Sequence, residues 1–392
     1  MTSPWPTRLL ALALAVAGLS PLAAQAPPGG ATTHDGVLEF VPNTDEGTVT
    51  VTDRLNGTTL SRSLVCPGPR NGVLTRDEVF YLVACGGTRE VAFLNTAAFD
   101  VDARVPLREA PWSVTVTGDG RYAEARDEGG RAFAVIDLQS RRQVDRMVPP
   151  PAPPSSPRKN ELIFIGTIHD GHLTSERFSL ETLRRLVLVI QPDYWLTEIS
   201  PNRLGHATDE FMRRGRVAEP RVSRFPEYVD VLFPLSRWLR YTVIGTAGWN
   251  HPMDRYRRER LDAIAHDPAR AADWQQYQDA IHASEAALAA GGAPDDPRWI
   301  HTEAYDAAQR IQLDVYNRLF DKDLGTGGWD TINEAHFANI ARALDEHTGE
   351  GARILVTYGA AHKSWMLPRL RERDDITVLD LAPFMDAARV PK

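Results

Sequence analysis

From residue 33 to residue 148 apolar and polar positions alternate in short runs separated by turn residues. Val49 and Val51, Val91 and Phe93, and Phe133 and Val135 each stand two apart, the spacing of one face of a β-strand. From Leu162 onward the pattern changes. Residues 162–165 and 354–358 are continuous apolar runs, as expected of strands buried on both faces of a parallel sheet. Residues 194–198, 241–244 and 376–379 read as three further strands. Leu180, Leu183, Val187 and Ile190 recur at helical spacing and predict an amphipathic helix over residues 179–190. Residues 252–322 lack strand signals, are rich in Ala, Arg, Glu and Gln, and are broken at Pro294 and Pro297, which predicts a helical insert. The expected fold class is α/β: a mainly parallel central sheet with flanking helices and a helical insert, preceded by a small all-β domain.

The all-β segment, residues 33–148, carries an internal repeat of 42 residues. Val51, Phe93 and Val135 are in register, as are Asp53, Asn95 and Asp137. Thr75 matches Thr117, Asp77 matches Asp119, and Phe80 matches Tyr122. Strands and turns at such a period predict one four-stranded blade per repeat. The turn Thr117-Gly118-Asp119-Gly120-Arg121-Tyr122 resembles that of extracellular β-propeller repeats with a Tyr-Val-Thr-Asn-type signature, here degenerate. About two and a half repeats fit, whereas closed propellers use about four to eight blades. An incomplete, propeller-like stack is therefore expected, with a structural role or one in binding a protein partner or a second copy. Pro149, Pro150, Pro151, Pro153, Pro154 and Pro157 make residues 149–160 an extended linker, with the α/β domain over 161–392.

Composition narrows the setting. At 43% hydrophobic and 24% charged residues, the chain is expected to pack as a globular protein. The net charge of −8 and the lack of a basic stripe argue against a nucleic-acid partner. Residues 1–26 read as a signal peptide, with Arg8, an apolar stretch over 9–19 and Ala24-Gln25-Ala26 as cleavage site. That stretch is short for a membrane span, so the mature chain is expected to be secreted or periplasmic, with a retained anchor as the alternative. Cys66 and Cys85 can pair in an oxidising compartment. With no further cysteine, a thiolate-rich zinc site is not expected.

The chemistry is concentrated where predicted strands end. Gly166-Thr167-Ile168-His169 and Gly359-Ala360-Ala361-His362 each follow an apolar run, and Glu198 ends another. In open α/β sheets ligands bind at the carboxyl ends of the strands. Neutral imidazole and carboxylate are the usual ligands of a catalytic divalent ion that keeps a position open to water. His169, Glu198 and His362 are the candidate metal ligands, with Mn, Co or Zn as the expected ion. A lone histidine is usually a satisfied polar group; three titratable residues at three strand ends point to a site.

Glu198, His172 and His336 are the candidate catalytic residues. Asp170 and His172 stand beside His169 and can ligate, act as base or orient it. His336 shares a helical stripe with Ile332, Ile340 and Leu344, so it faces inward, as a core residue or a proton carrier. His251 is a weaker candidate, and Lys363 offers a charge for a developing oxyanion. No Gly-x-Ser-x-Gly elbow is present, and no Gly-x-Gly-x-x-Gly follows the first α/β strand.

With its two Gly-x-x-His motifs and the Thr197-Glu198 strand end, the stretch 161–381 resembles the TraB/PrgY/GumN/Tiki superfamily, related to erythromycin esterases and to haem-uptake lipoproteins. That resemblance implies a mixed α/β fold with duplicated halves and a hydrolase-like site. For the Tiki branch it implies metal-dependent proteolysis with Mn or a similar ion. Members often carry an Arg beside an Asn or Asp in the helix before the last motif. Here Asn333 has no such Arg, leaving His336 or Arg342 as substitutes. The function expected is an exported metal-dependent hydrolase of peptide, ester or amide bonds, acting on a peptide or small molecule. Two alternatives stay open: a non-catalytic binding or sensory module, for example for haem, and a metal-independent esterase using Glu198 and His169 as base and acid.

Overall fold

The computed structural model describes residues 29–33, 36–118, 120–147, 157–249 and 251–390. The expected signal peptide, Asp119 and the linker prolines 149–154 lie outside the described residues.

Three four-stranded antiparallel sheets follow one another. The first comprises Ala31–Thr32, Leu38–Asn43, Thr48–Asp53 and Thr58–Leu64 (β1–β4). The second comprises Pro69–Leu74, Phe80–Cys85, Glu90–Asn95 and Val101–Pro106 (β5–β8). The third comprises Ser113–Val116, Tyr122–Arg126, Ala132–Asp137 and Arg142–Val144 (β9–β12). The third strands of the sheets begin at 48, 90 and 132, so the 42-residue repeat is one sheet per period. Asp53, Asn95 and Asp137 close these strands by accepting the backbone N–H of Leu55, Ala97 and Ser140, as Asx side chains do in turns. The hydroxyls of Thr75 and Thr117 accept the amides of Phe80 and Tyr122. Thr33 does the same for Leu38, so the repeat extends back into a complete first sheet. The count is three rather than two and a half.

Apolar residues join the sheets into one stack. Phe40, Val51, Tyr81 and Leu94 fill the first junction; Leu82, Phe93, Ala123 and Ile136 fill the second. A disulfide links Cys66, just past β4, to Cys85 at the end of β6, with Cα atoms 5.9 Å apart.

The second domain holds a five-stranded parallel sheet of Asn160–Thr167 (β13), Tyr194–Thr197 (β14), Thr242–Gly245 (β15), Arg353–Gly359 (β16) and Ile376–Val378 (β17). The order is β15-β14-β16-β13-β17. Helices α1 (Leu180–Ile190), α2 (Pro201–Arg214) and α3 (Phe233–Leu239) follow the early strands. The helical insert comprises α4 (His251–His266), α5 (Ala271–Gly291), α6 (Pro297–Ile300) and α7 (Glu303–Leu324). Then come α8 (Trp329–Glu346), α9 (Ala360–Arg371) and α10 (Ala382–Ala387). The apolar runs are buried on both faces. Ile163, Ile165, Trp195 and Leu355 pack with Leu183, Leu186 and Ile190 of α1. Leu162, Phe164, Ile354 and Val356 pack with Ile340 and Leu344 of α8 and Met366 of α9. The strand β13 begins at Asn160, inside the expected linker. The Asn160 side chain donates to His347 and accepts from the amide of Ala352, which ties the strand's start to the sheet.

The order places β16 between β14 and β13, so the strand ends carrying Glu198, Gly359 and His169 are neighbours at one edge. The sheet stack docks near that edge. Arg255 of α4 pairs with the buried Asp53. Asn202 of α2 bonds Thr96 and accepts from Asn95.

The disulfide spans a sequence separation of 19, a loop whose closure is worth about 3 kcal/mol through the unfolded chain. The double variant Cys66→Ser/Cys85→Ser is expected to lose about that much in a urea titration, and reduction of the wild type should match it.

Candidate metal centre

Glu198 lies one residue past β14, and its Oε2 accepts the Gly359 N–H at 2.8 Å. The carboxylate of one strand is thereby fixed to the end of the next. Its own N–H donates to the Tyr228 hydroxyl at 2.9 Å. His169 follows β13 in a tight turn with φ 49°, the left-handed region; a non-glycine residue there costs roughly 1–2 kcal/mol. His362 lies in the first turn of α9. His169 Nε2 is 3.9 Å from Glu198 Oε2 and His362 Nε2 is 3.7 Å from Glu198 Oε1. The two histidines therefore flank one carboxylate, one on each oxygen.

The motif glycines make this approach sterically open. A Cβ on Gly359 would stand 2.6 Å from His169 Nε2. A Cβ on Gly166 would stand 3.0 Å from Cα of Ala360. Each motif's glycine thus leaves room for the other motif.

Hydrogen bonds assign the protons. His169 Nδ1–H donates to Glu227 Oε1 at 2.7 Å, which in the neutral ring leaves Nε2 with its lone pair toward Glu198. Asn333 donates its amide N–H to Trp329 O, so its Oδ1 faces His362 and accepts from Nδ1–H at 2.7 Å. His362 Nε2 also keeps its lone pair. His336 is the reverse case. Its Nδ1 accepts the backbone N–H of Gly248 at 2.7 Å, so Nε2 carries the proton of the neutral ring. That Nε2 is buried without a partner among the described residues. The ligand-type atoms of Glu198, His336 and His362 lie within 4.8 Å of one another. The tightest trio therefore includes a histidine that presents an N–H donor, while the third lone pair belongs to His169, which stands outside that trio.

Electrostatics follow from burial and the acids. Burial lowers the His169 pKa, but the Glu227 hydrogen bond and the Glu198 charge outweigh it and hold the ring above its ordinary value. Burial lowers His362, with Glu198 only partly opposing. Burial, then His362, pushes His336 well below its ordinary value. A cavity of about 250 Å³ opens beside His169 and Glu198, lined also by Arg221, Arg224, Phe225 and Trp249.

Other expected roles change. His172, a candidate base, has both ring nitrogens engaged: Nε2 accepts from Ile168 N–H and Nδ1–H donates to Phe178 O. It braces the turn that carries His169 and has no atom free for proton transfer. Lys363 is buried against Asp306 at 2.6 Å and offers no charge to an oxyanion. Asp170 is exposed, and its charge only adds to the forces that raise the His169 pKa. His251 begins α4. Sequence reasoning missed Glu227, fully buried in a π-helical turn, and Trp329, stacked on the His362 ring at 4.7 Å. The one signal for Glu227 was an acid among Phe225, Tyr228 and Val229.

No family model matches the chain. No curated relative matches it either. Solved structures with partial likeness include the hydrazine synthase of Kuenenia stuttgartiensis, at 20% identity over 33% of this chain and 38% of that one, TM-score 0.28. Dihydro-heme d1 dehydrogenase NirN in complex with DHE matches at 22% identity over 30% of this chain and 27% of that one, TM-score 0.27. The β-propeller domain of Myceliophteria thermophila Cps50 (Swd1) matches at 14% identity over 34% and 39%, TM-score 0.26. The chain spans well under half the length of these structures. Likenesses this slight carry no argument; the blade architecture rests on the three sheets themselves.

Two predictions follow from the geometry. Gly359→Ala is expected to displace the His169 ring from Glu198, read as a shift of the His169 imidazole resonances by NMR, with circular dichroism unchanged. His301 Nε2 accepts the Gly166 N–H at 2.9 Å while Nδ1–H donates to Pro297 O, so it pins the insert to β13. Burial depresses its pKa from 6.5 to about 4. The folded state then binds fewer protons than the unfolded one. The stabilisation is therefore present above pH 6.5 and lost as pH falls toward about 4. His301→Leu should flatten part of the fall in denaturation midpoint over that window.

Proposed function

We propose that this chain is an exported metal-dependent hydrolase of peptide, ester or amide bonds. The observation that carries the reading is the pair of imidazole lone pairs, His169 Nε2 and His362 Nε2, on opposite oxygens of one carboxylate. Each imidazole has its other nitrogen held by an acceptor side chain, Glu227 or Asn333. Metal-binding histidines are oriented in this way. The donor set suits a divalent ion of the Mn, Co or Zn kind, with His169, Glu198 and His362 as the residues to hold it. Such an ion would supply Lewis-acid activation of water near neutral pH. The chain's own residues then divide the work. Glu198, fixed by the Gly359 N–H, is placed to take a proton. His336 directs an unpartnered N–H toward the same point and can donate to an oxygen that gains charge in the reaction. Glu227 and Asn333 keep the two flanking rings in one tautomer.

The finer placement in the TraB/PrgY/GumN/Tiki superfamily fits the same residues and belongs to this proposal. So does export to the periplasm or beyond, which the disulfide and the apolar N-terminal stretch support. A metal-independent esterase remains as a second reading, because His169, held above its ordinary pKa beside Glu198, already forms an acid–base pair.

Metal content by mass spectrometry tests the reading. The purified chain should carry an ion that His169→Ala and His362→Ala both lose, and chelation should abolish peptide and ester hydrolysis. Glu227→Gln and Asn333→Leu should weaken the ion's binding by about 10- to 100-fold. A metal-free wild type whose hydrolysis ignores chelators would select the esterase instead.

A further inference from the structure

A second and larger cavity, about 750 Å³, lies between the sheet stack and the α/β domain. It adjoins the one beside His169 and Glu198, since Ser200, Ala247 and Trp249 line both. Thr32 of β1 and Val73 and Leu74 of β5 form the stack's wall; Asn202, Ala338 and Arg342 form the opposite one. Two features of these walls call for a ligand with a particular chemistry.

The first is a pair of orphaned polar atoms. The Thr32 hydroxyl and the Asn202 side-chain carbonyl oxygen are buried without a hydrogen-bond partner among the described residues. The Asn202 amide orientation is fixed. Thr96 gives its hydroxyl proton to Glu78 O at 2.6 Å, so its oxygen accepts from Asn202 Nδ2 at 3.1 Å. Asn202 Oδ1 is left as an acceptor that needs a donor, and a buried polar atom without one costs about 1–3 kcal/mol. The second feature is backbone. β1 and β5 are each the end strand of their sheet; on β5 the Gly72 N–H already donates to Gly29 O at 3.1 Å, and Val73 and Leu74 beyond it line the cleft. End strands present a row of N–H and C=O groups. Another extended backbone matches such a row, and a sugar polymer or small ester does not.

We propose that this cleft is a docking groove for an extended polypeptide, which lies along β1 and β5, bonds Asn202 and Thr32, and passes over Trp249 to the metal centre. The incomplete propeller is then the substrate-binding wall of the enzyme. The inference rests on the hydrolase reading only for what happens once the chain is bound.

The test uses the full chain carrying Glu198→Gln, so that nothing is turned over. The probe is a fluorescein-labelled, proline-free, unstructured peptide of twelve residues, followed by fluorescence anisotropy. Adding Thr32→Val, which spares the Asn202–Thr96 bond between the domains, should weaken binding about fivefold through the lost hydrogen bond. Ala338→Trp, which fills the cleft from α8, should do at least as much. In the otherwise wild-type chain the same substitutions should leave p-nitrophenyl acetate hydrolysis within about twofold, since no hydrogen bond at the centre is touched. Peptide affinity unchanged in both variants would overturn the proposal. So would a neutral oligosaccharide that displaces the peptide as well as unlabelled peptide does. A wild type that binds the peptide in a cleft-dependent way but hydrolyses nothing would support the groove and remove the hydrolase reading. Ester hydrolysis with cleft-independent peptide binding would do the reverse.

Discussion

The carboxylate of Glu198 is the point on which the second domain is organised. It sits past the end of β14, is held by the Gly359 N–H at the end of β16, and faces the histidines that follow β13 and β16. A partly buried carboxylate needs compensating positive charge or donors. The protein supplies one backbone N–H directly and raises the pKa of His169. With both rings neutral, in the tautomers set by Glu227 and Asn333, the carboxylate stands between two imidazole lone pairs, and the proposed cation site rests on that arrangement. Close approach of the strand ends makes it possible, and the two motif glycines make that approach sterically open.

Proton placement separates histidines that look alike in sequence. Six carry structural information here. His172 and His301 have both nitrogens spent on backbone groups and serve as braces. His347 pairs with Glu350 at the opposite, amino-terminal side of the sheet. His169 and His362 have one nitrogen tied to a side-chain acceptor and the other free. His336 has its acceptor nitrogen occupied by a backbone donor and its N–H left over. A ligand must present a lone pair and an oxyanion donor must present a proton, so these bonds assign the roles where distance alone does not.

The stack of three sheets gains meaning from what it leaves unfinished. A closed ring would turn its inner strands toward its own channel; three sheets leave β1 and β5 facing the α/β domain. Asp53 and Asn95 close repeated turns and also reach Arg255 and Asn202. The same repeated positions therefore terminate the blades and attach them beside the centre, which is why a wall of one domain borders the cavity of the other.

Much of the architecture was determined by sequence alone. The 42-residue repeat fixed where the blades' third strands lie, because strand, turn and Asx cap recur together. The unbroken apolar runs identified β13 and β16, because only strands covered on both faces are apolar throughout. Gly-x-x-His at two strand ends and Glu198 at a third marked the centre, since strand termini must converge along one edge of a parallel sheet. What sequence could not determine was anything set by contacts across long separations. Glu227 reaches His169 from 58 residues away, and Gly248 donates to His336 across 88. No local pattern encodes such pairs, and they decide which nitrogen of His169 and of His336 is left over. The placement of β16 between β14 and β13, and the attachment of the stack beside them, likewise depend on packing of remote surfaces. The tertiary structure therefore decided which of the candidate histidines are placed to act and which only hold the fold.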